Sequence, residues 1–232
     1  MKFPRAPRHA TNAIAAIALF SPWLVGATTT DQAMTKDSPS VDASSTTYVV
    51  SEQKSSVNIL VYRAGALALF GHDHVMTVGA LSGKVRVGPA QSGFDLSFPV
   101  AGLIIDDAAA RKAAGRDFAS EVPQADRDGT RHNMLLPEVL DGEHYPQITL
   151  RSAQMSGTLP DAQFVVHVQI KDVTRDIRVP ATVTIDGKEL TAKGQFDILQ
   201  SDFGIKPFKV ALGALEVRDR LVVNFRISAQ AQ

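Results

Sequence analysis

The sequence predicts an all-β protein: a closed antiparallel β-barrel of about eight strands, with short helices confined to one insert. Three observations carry this reading. Apolar and polar residues alternate with a period of two through most of the chain beyond Ser56. A Gly-containing turn joins two long alternating runs, and one stretch between Asp106 and Asp141 abandons the alternation. A period of two belongs to a strand with one buried face.

Each strand has its own stripe. Val57, Ile59 and Val61 mark an early strand. Leu81, Gly83, Val85 and Val87 share one face against Ser82, Lys84 and Arg86, and Phe94, Leu96 and Phe98 share another against Asp95 and Ser97. Ile148 and Leu150 mark a shorter strand, and Phe164, Val166, Val168 and Ile170 a longer one. Ile177, Val179, Ala181, Val183 and Ile185 are expected to point inward, followed by an Asp186-Gly187 hairpin turn and by Leu190, Ala192, Gly194, Phe196 and Ile198. Leu221, Val223, Phe225, Ile227 and Ala229 form the closing strand. In the insert, Ala108 to Ala114 favours helix, and Val122 to Leu136 mixes Asp, Arg, Asn and His without alternation, which predicts short helices over one barrel mouth.

The N-terminus precedes this pattern. Lys2, Arg5 and Arg8 stand before an apolar run from Ala13 to Phe20 that continues through Trp23 to Ala27, the pattern of a cleaved export signal. Residues 1–27 are therefore expected to be a signal peptide cleaved after Ala27, 28–47 a flexible leader rich in Thr, Ser and Asp, and 48–232 the barrel domain. Export implies a periplasmic location. The run is shorter than the roughly 20 apolar residues that cross a bilayer, so no transmembrane segment is expected.

Composition narrows the function classes. Without residues 1–27 the chain carries 21 Lys and Arg against 24 Asp and Glu, a net charge of −3. That balance offers no basic footprint for nucleic acid. There is no Cys, hence no disulfide framework, thiolate nucleophile or lipid-bearing Cys. Ser and His occur without a Gly-x-Ser-x-Gly elbow, and Asp106 and Asp107 stand before the Ala-rich helix, where capping accounts for them. An enzyme is not expected. Asp126-Arg127-Asp128-Gly129 lacks the further donors and closing Glu of a calcium loop and is read as a turn.

Four segments together resemble the YceI-like, polyisoprenoid-binding family. They are Ser55-Ser56-Val57 with Gly79-Ala80-Leu81-Ser82-Gly83; Tyr145-Pro146-Gln147-Ile148-Thr149-Leu150-Arg151-Ser152; Val173-Thr174-Arg175-Asp176-Ile177-Arg178-Val179-Pro180; and Ser201-Asp202-Phe203-Gly204-Ile205. The chain departs from the family pattern at Leu150, where Phe is usual, at Asp172, where Gly is usual, and at Leu199 or Gln200, where an Arg is missing. Gly71-His72-Asp73-His74 replaces a simpler link and marks a subgroup. The resemblance covers roughly residues 48 to 230. It implies a lipocalin-like barrel whose lumen holds an isoprenoid chain such as a quinone or polyprenyl lipid, with no other cofactor and Phe203 packed at the barrel end.

The candidate ligand-binding residues follow from the alternation and the His motif. The wall candidates are Phe94, Leu96, Phe98, Phe164, Val166, Phe196, Ile198, Phe225 and Ile227, each equally readable as plain core, because an eight-stranded barrel is either filled by its side chains or holds one small ligand. His72 and His74, spaced i, i+2, project to one face of an extended strand with Asp73 on the other. Three readings stay open: side chains fixed by local partners beside a tight bend at Gly71, polar contacts to a ligand head group, or two donors of a metal site completed by His132, His144, His167 or a carboxylate. The leading function is therefore a periplasmic carrier of an apolar, isoprenoid-type lipid or quinone. The alternatives are a metal-binding or redox-linked protein using His72 and His74, and an accessory protein with a filled lumen. The partner is an apolar ligand, and a homodimer is left open.

Overall fold

The computed structural model describes residues 45–89 and 92–232. Fourteen strands are present among them: β1 (Thr46–Val50), β2 (Ser56–Val61), β3 (Arg63–Ala64), β4 (His74–Val78), β5 (Ser82–Val87), β6 (Gly93–Pro99), β7 (Leu103–Ile105), β8 (Gln147–Thr158), β9 (Asp161–Ile170), β10 (Val173–Asp186), β11 (Glu189–Leu199), β12 (Lys209–Val210), β13 (Leu215–Val217) and β14 (Arg220–Ala231). The helices are α1 (Ala108–Ala114) and α2 (Gln124–Leu135).

Eight strands close on themselves in the order β1-β5-β6-β8-β9-β10-β11-β14, with β14 returning to β1, all antiparallel. Closure removes the free edges of an open sheet. β14 changes partner along its length: Ala229–Ala231 face β1, whereas Val222–Arg226 face β2. The switch is made at Ser51–Ser55, where a short turn over Glu52–Lys54 interrupts what would be one strand. There Ser51 N donates to Ser228 O at 2.9 Å and Ser228 N donates to Ser55 Oγ at 3.0 Å, so the ladder loses no partner across the break. β4 and β7 extend the wall beyond β2.

The wall parts beside β7. β6 pairs with β8 through Asp95–Pro99, but β7, past Gly102, has only β4 as a neighbour. The insert between Asp106 and Pro146 fills the gap. Arg131 on α2 donates to the carbonyls of Leu103 at 2.8 Å and Ala101 at 2.6 Å, covering the edge that β7 exposes. α1 lies on the opposite side of β2 and β4 from the lumen, where Ala110 and Ala114 pack against Leu60, Val75 and Phe118.

Most strands keep the stripes read from the sequence, and the hairpin turns at Gly187-Lys188 with Gly187 at φ 55°. Four local expectations change. Thr46 and Thr47, the last residues of the expected leader, already pair in β1; the rest of the leader and the signal segment lie outside the described residues. β8 runs on to Thr158, and its distal half is exposed on both faces, so it carries no alternation to read. Ile185 is exposed, because β10 projects past the barrel rim. Asp126–Gly129 is not a turn but lies in the first half of α2.

Candidate ligand-binding site

The inward stripes do not fill the barrel. They enclose a cavity of about 190 Å³ lined by residues from all eight closing strands except β1. Among its lining residues only Arg86 and Ser92 bear polar side chains. A single water needs roughly 10–15 Å³ measured in this way, so the void is many waters in size yet offers them almost nothing to bond. An unfilled apolar space forfeits the contacts its lining atoms would otherwise make.

This lumen adjoins a second cavity of about 460 Å³, and the two share Ile59, Ile148, Ile170 and Ile198 as lining. Its far side is built by the insert and by the chain that follows β11: Asp126, Thr130 and Asn133 of α2, Gln200 and Phe203 in a short helical turn, and Phe208, Val210 and Leu215 beyond. Polar groups are concentrated here. The site is thus apolar in the lumen and mixed at the mouth, the usual form of a site for a molecule with an apolar body and a polar head.

His72 and His74 both line the mouth, with ring centroids 6.3 Å apart. The i, i+2 spacing does bring them to one side, while Asp73 turns the other way and accepts from Arg63 N at 2.8 Å. His72 Nε2 lies 3.3 Å from Asp126 Oδ2 on α2. His74 Nδ1 lies 2.6 Å from Asp106 Oδ2. An ionised carboxylate can only accept, so Nδ1 carries the proton, and in the neutral imidazole Nε2 faces the cavity as an acceptor. Thr130 Oγ1 is 3.5 Å from it.

Asp106 is the centre of this arrangement. It is 2 % exposed and takes a left-handed backbone, φ 53°, which short polar residues tolerate. Asp106 Oδ1 accepts from Val75 N at 2.8 Å and from Arg111 Nη1 at 2.6 Å. Arg111, also buried, donates further to Asp73 O at 2.7 Å and Ser120 O at 2.8 Å. Burial alone would raise the Asp106 pKa, but hydrogen bonds from His74 and Val75, the His74 charge and the Arg111 bond together hold it below the ordinary carboxylate value.

The two adjacent carboxylates therefore separate. Asp107 caps α1 as expected, accepting from Ala109 N at 3.0 Å and Ala110 N at 2.9 Å. Asp106 caps nothing and instead fixes His74 and Arg111, a role that no local pattern signals because its histidine partner is 32 residues away. Gly71 also differs from its expected role. Its φ of −109° demands no glycine, and a Cβ there would sit 2.9 Å from Leu215 Cδ1, so a side chain would need only the end of Leu215 to shift.

Phe94, Leu96, Phe98, Phe164, Val166, Phe196, Ile198, Phe225 and Ile227 all line the lumen, as does Leu150. Phe94 meets Phe164 edge to face at 5.8 Å, and Phe196 meets Phe225 at 6.1 Å. Phe203 is buried at the mouth end. Gln200, near the position of the missing Arg, ties the mouth to Arg218 O at 2.9 Å. The metal donors considered with the His pair do not converge. His144 pairs with Asp141 and His167 with Asp176, and His132 is exposed on α2. Among the described residues no group of three or more His, Asp or Glu could hold a metal ion. No described helix is long and apolar enough to cross a membrane.

A closed antiparallel barrel with an unfilled apolar lumen and a helical insert over one mouth defines a lipocalin-like barrel protein. A family model described as the YceI-like domain matches residues 48–229, and the chain belongs to that family. The fold is shared with BcnA of Burkholderia cenocepacia, at a TM-score of 0.57 and 18% identity over 78% of this chain and 99% of that one. The Campylobacter jejuni YCEI protein aligns at a TM-score of 0.48 and 14% identity over 68% of this chain and 84% of its own. No curated protein matches the sequence.

Proposed function

We propose that this protein is an exported periplasmic carrier that holds an apolar, isoprenoid-type lipid or quinone in its barrel and performs no chemistry on it. The observation that carries this reading is the unfilled apolar lumen adjoining a polar mouth. A hydrocarbon chain entering it leaves water at about 0.8 kcal/mol per methylene, so ten methylenes supply roughly 8 kcal/mol before the cost of ordering the chain. At the mouth, His74 Nε2, Thr130, Asn133 and the His72–Asp126 pair are within reach of a head group. Asp106 holds the Nδ1–H of His74, so Nε2 is the atom left to a head group, an acceptor on the neutral imidazole and a donor on the charged one.

A lumen filled by its own side chains, as an accessory role without cargo would have it, is at odds with a void of about 190 Å³. The test is mass spectrometry of an organic extract of the protein purified from the cell envelope, with metal analysis of the same sample. A prenyl lipid or quinone in stoichiometric amount is expected. Bound metal without lipid would sink the carrier reading and move the histidine pair to the centre.

A further inference from the structure

The apolar surface of this protein is unevenly distributed. Among the described residues, six of the eleven exposed large apolar side chains, Leu67, Leu69, Phe70, Phe208, Val210 and Leu212, belong to two segments that are bonded to each other. β3 pairs with β13, and β13 with β12, in a small sheet separate from the barrel. Leu67 N donates to Ala214 O at 2.7 Å, and the left-handed Gly65 brings its backbone so close to that carbonyl that a Cβ would collide with it. The tips are thus built and held outward. Leu69 and Phe70 are 88% and 80% exposed, and Leu212 is fully exposed on a left-handed backbone at φ 56°. A rigid turn that displays leucine to water has no stabilising purpose within the monomer.

Two further facts say what the patch meets. It rims the cavity mouth: Phe70, Phe208 and Val210 line that mouth from the inside while Leu69 and Leu212 stand beside them. Residues 62–71 and 205–218 also carry Arg63, Lys206, Lys209 and Arg218; Lys209 is paired with Glu216 at 2.7 Å and Arg63 lies 3.9 Å from Asp73, so Lys206 and Arg218 carry the excess positive charge. Asp219 just beyond is bonded to Ser201. Apolar tips framed by cations on an otherwise acidic chain match an anionic lipid surface, with leucine and phenylalanine entering the acyl boundary and lysine and arginine at the phosphates. We infer that this two-segment rim is a membrane-docking surface that sets the barrel mouth against an anionic bilayer. Docking there would let an apolar molecule pass between membrane and lumen without crossing water, although the surface itself is independent of what the lumen holds.

The test is co-sedimentation of the protein with vesicles of phosphatidylethanolamine and phosphatidylglycerol, and with vesicles of phosphatidylcholine alone. Wild type is compared with L69S/L212S and with K206Q, all carrying the same N-terminus. Neither leucine lines the lumen or the mouth cavity, so lipid content on extraction should not change. Wild type should pellet with the anionic vesicles and less with the neutral ones. L69S/L212S should lose most of that binding, and K206Q should weaken it about fivefold. Wild type left in solution with both vesicle types would overturn the inference, as would L69S/L212S binding as well as wild type. A concentration-dependent dimer that disappears in L69S/L212S, without vesicle binding, would also overturn it and assign the patch to a second copy. The carrier reading fails on a different result, an empty organic extract.

Discussion

At the scale of single residues, Asp106 governs more of the mouth than any histidine does. It binds Arg111, fixes His74 and accepts from the β4 backbone, all in a place with almost no solvent. Asp106→Asn keeps the shape but leaves the Arg111 guanidinium buried without its counter-charge, and removing one member of a buried pair costs about 3–5 kcal/mol. The pH dependence has a definite sign. The folded pKa of Asp106 lies below its unfolded value, so its contribution is complete above the unfolded pKa and fades as pH falls through the folded one. Urea unfolding should therefore show a large gap between wild type and Asp106→Asn at neutral pH that narrows in strong acid. A gap of constant size would mean that the carboxylate charge is not what stabilises the mouth. At this scale the sequence was half informative. The His72 and His74 pair and the Asp107 cap are local patterns with fixed spacing, whereas Asp106, Arg111 and Arg131 act on partners brought near only by the fold.

At the scale of elements, the barrel strands were legible wherever one face is buried, as in β9, β10 and β11, because burial of one face is what writes a period of two into a sequence. β1 was hidden in a Thr- and Ser-rich run, and the outer half of β8 meets water on both sides. The rim formed by β3, β12 and β13 has strands of two or three residues, too short for any period. The same reasoning separates rigid from openable parts. α1 and α2 have 7 and 12 residues, at or below the roughly 12–15 at which an isolated helix becomes marginally stable, so they persist through the contacts they make with the wall. α2 is held by the Arg131 bonds, Met134 and the His72–Asp126 pair, whereas every residue of β10 has a ladder partner, in β9 from Val173 to Thr182 and in β11 from Thr182 to Asp186. Amide hydrogen exchange should be faster in α2 than in β10 and β11, and should slow in α2 when the lumen is loaded. Equal protection in α2 and β10 would mean that the insert is a fixed lid and that cargo enters elsewhere.

At the scale of the whole molecule, the alternation could not tell a filled barrel from a hollow one, since the same inward valines, isoleucines and phenylalanines serve both. The difference lies in how residues of neighbouring strands add up across the interior, which depends on barrel radius and strand stagger and not on any one stripe. Ala192 makes the distinction measurable. It lines the lumen between Val183 of β10 and Ile227 of β14. In a packed core, Ala192→Phe would force neighbours off their rotamers at a cost of about 1–3 kcal/mol. In a hollow lumen the new ring enters open space and gains contacts that the empty wall lacks. Ala192→Phe should therefore unfold at a temperature no lower than the delipidated wild type while extracting with less bound lipid. It should also lose the stabilisation that cargo confers, which reaches about 2.7 kcal/mol when free ligand is a hundredfold above its Kd. A destabilised variant that still loads fully would locate the cargo elsewhere and make this level of the barrel ordinary core, because ring and chain cannot occupy the same space.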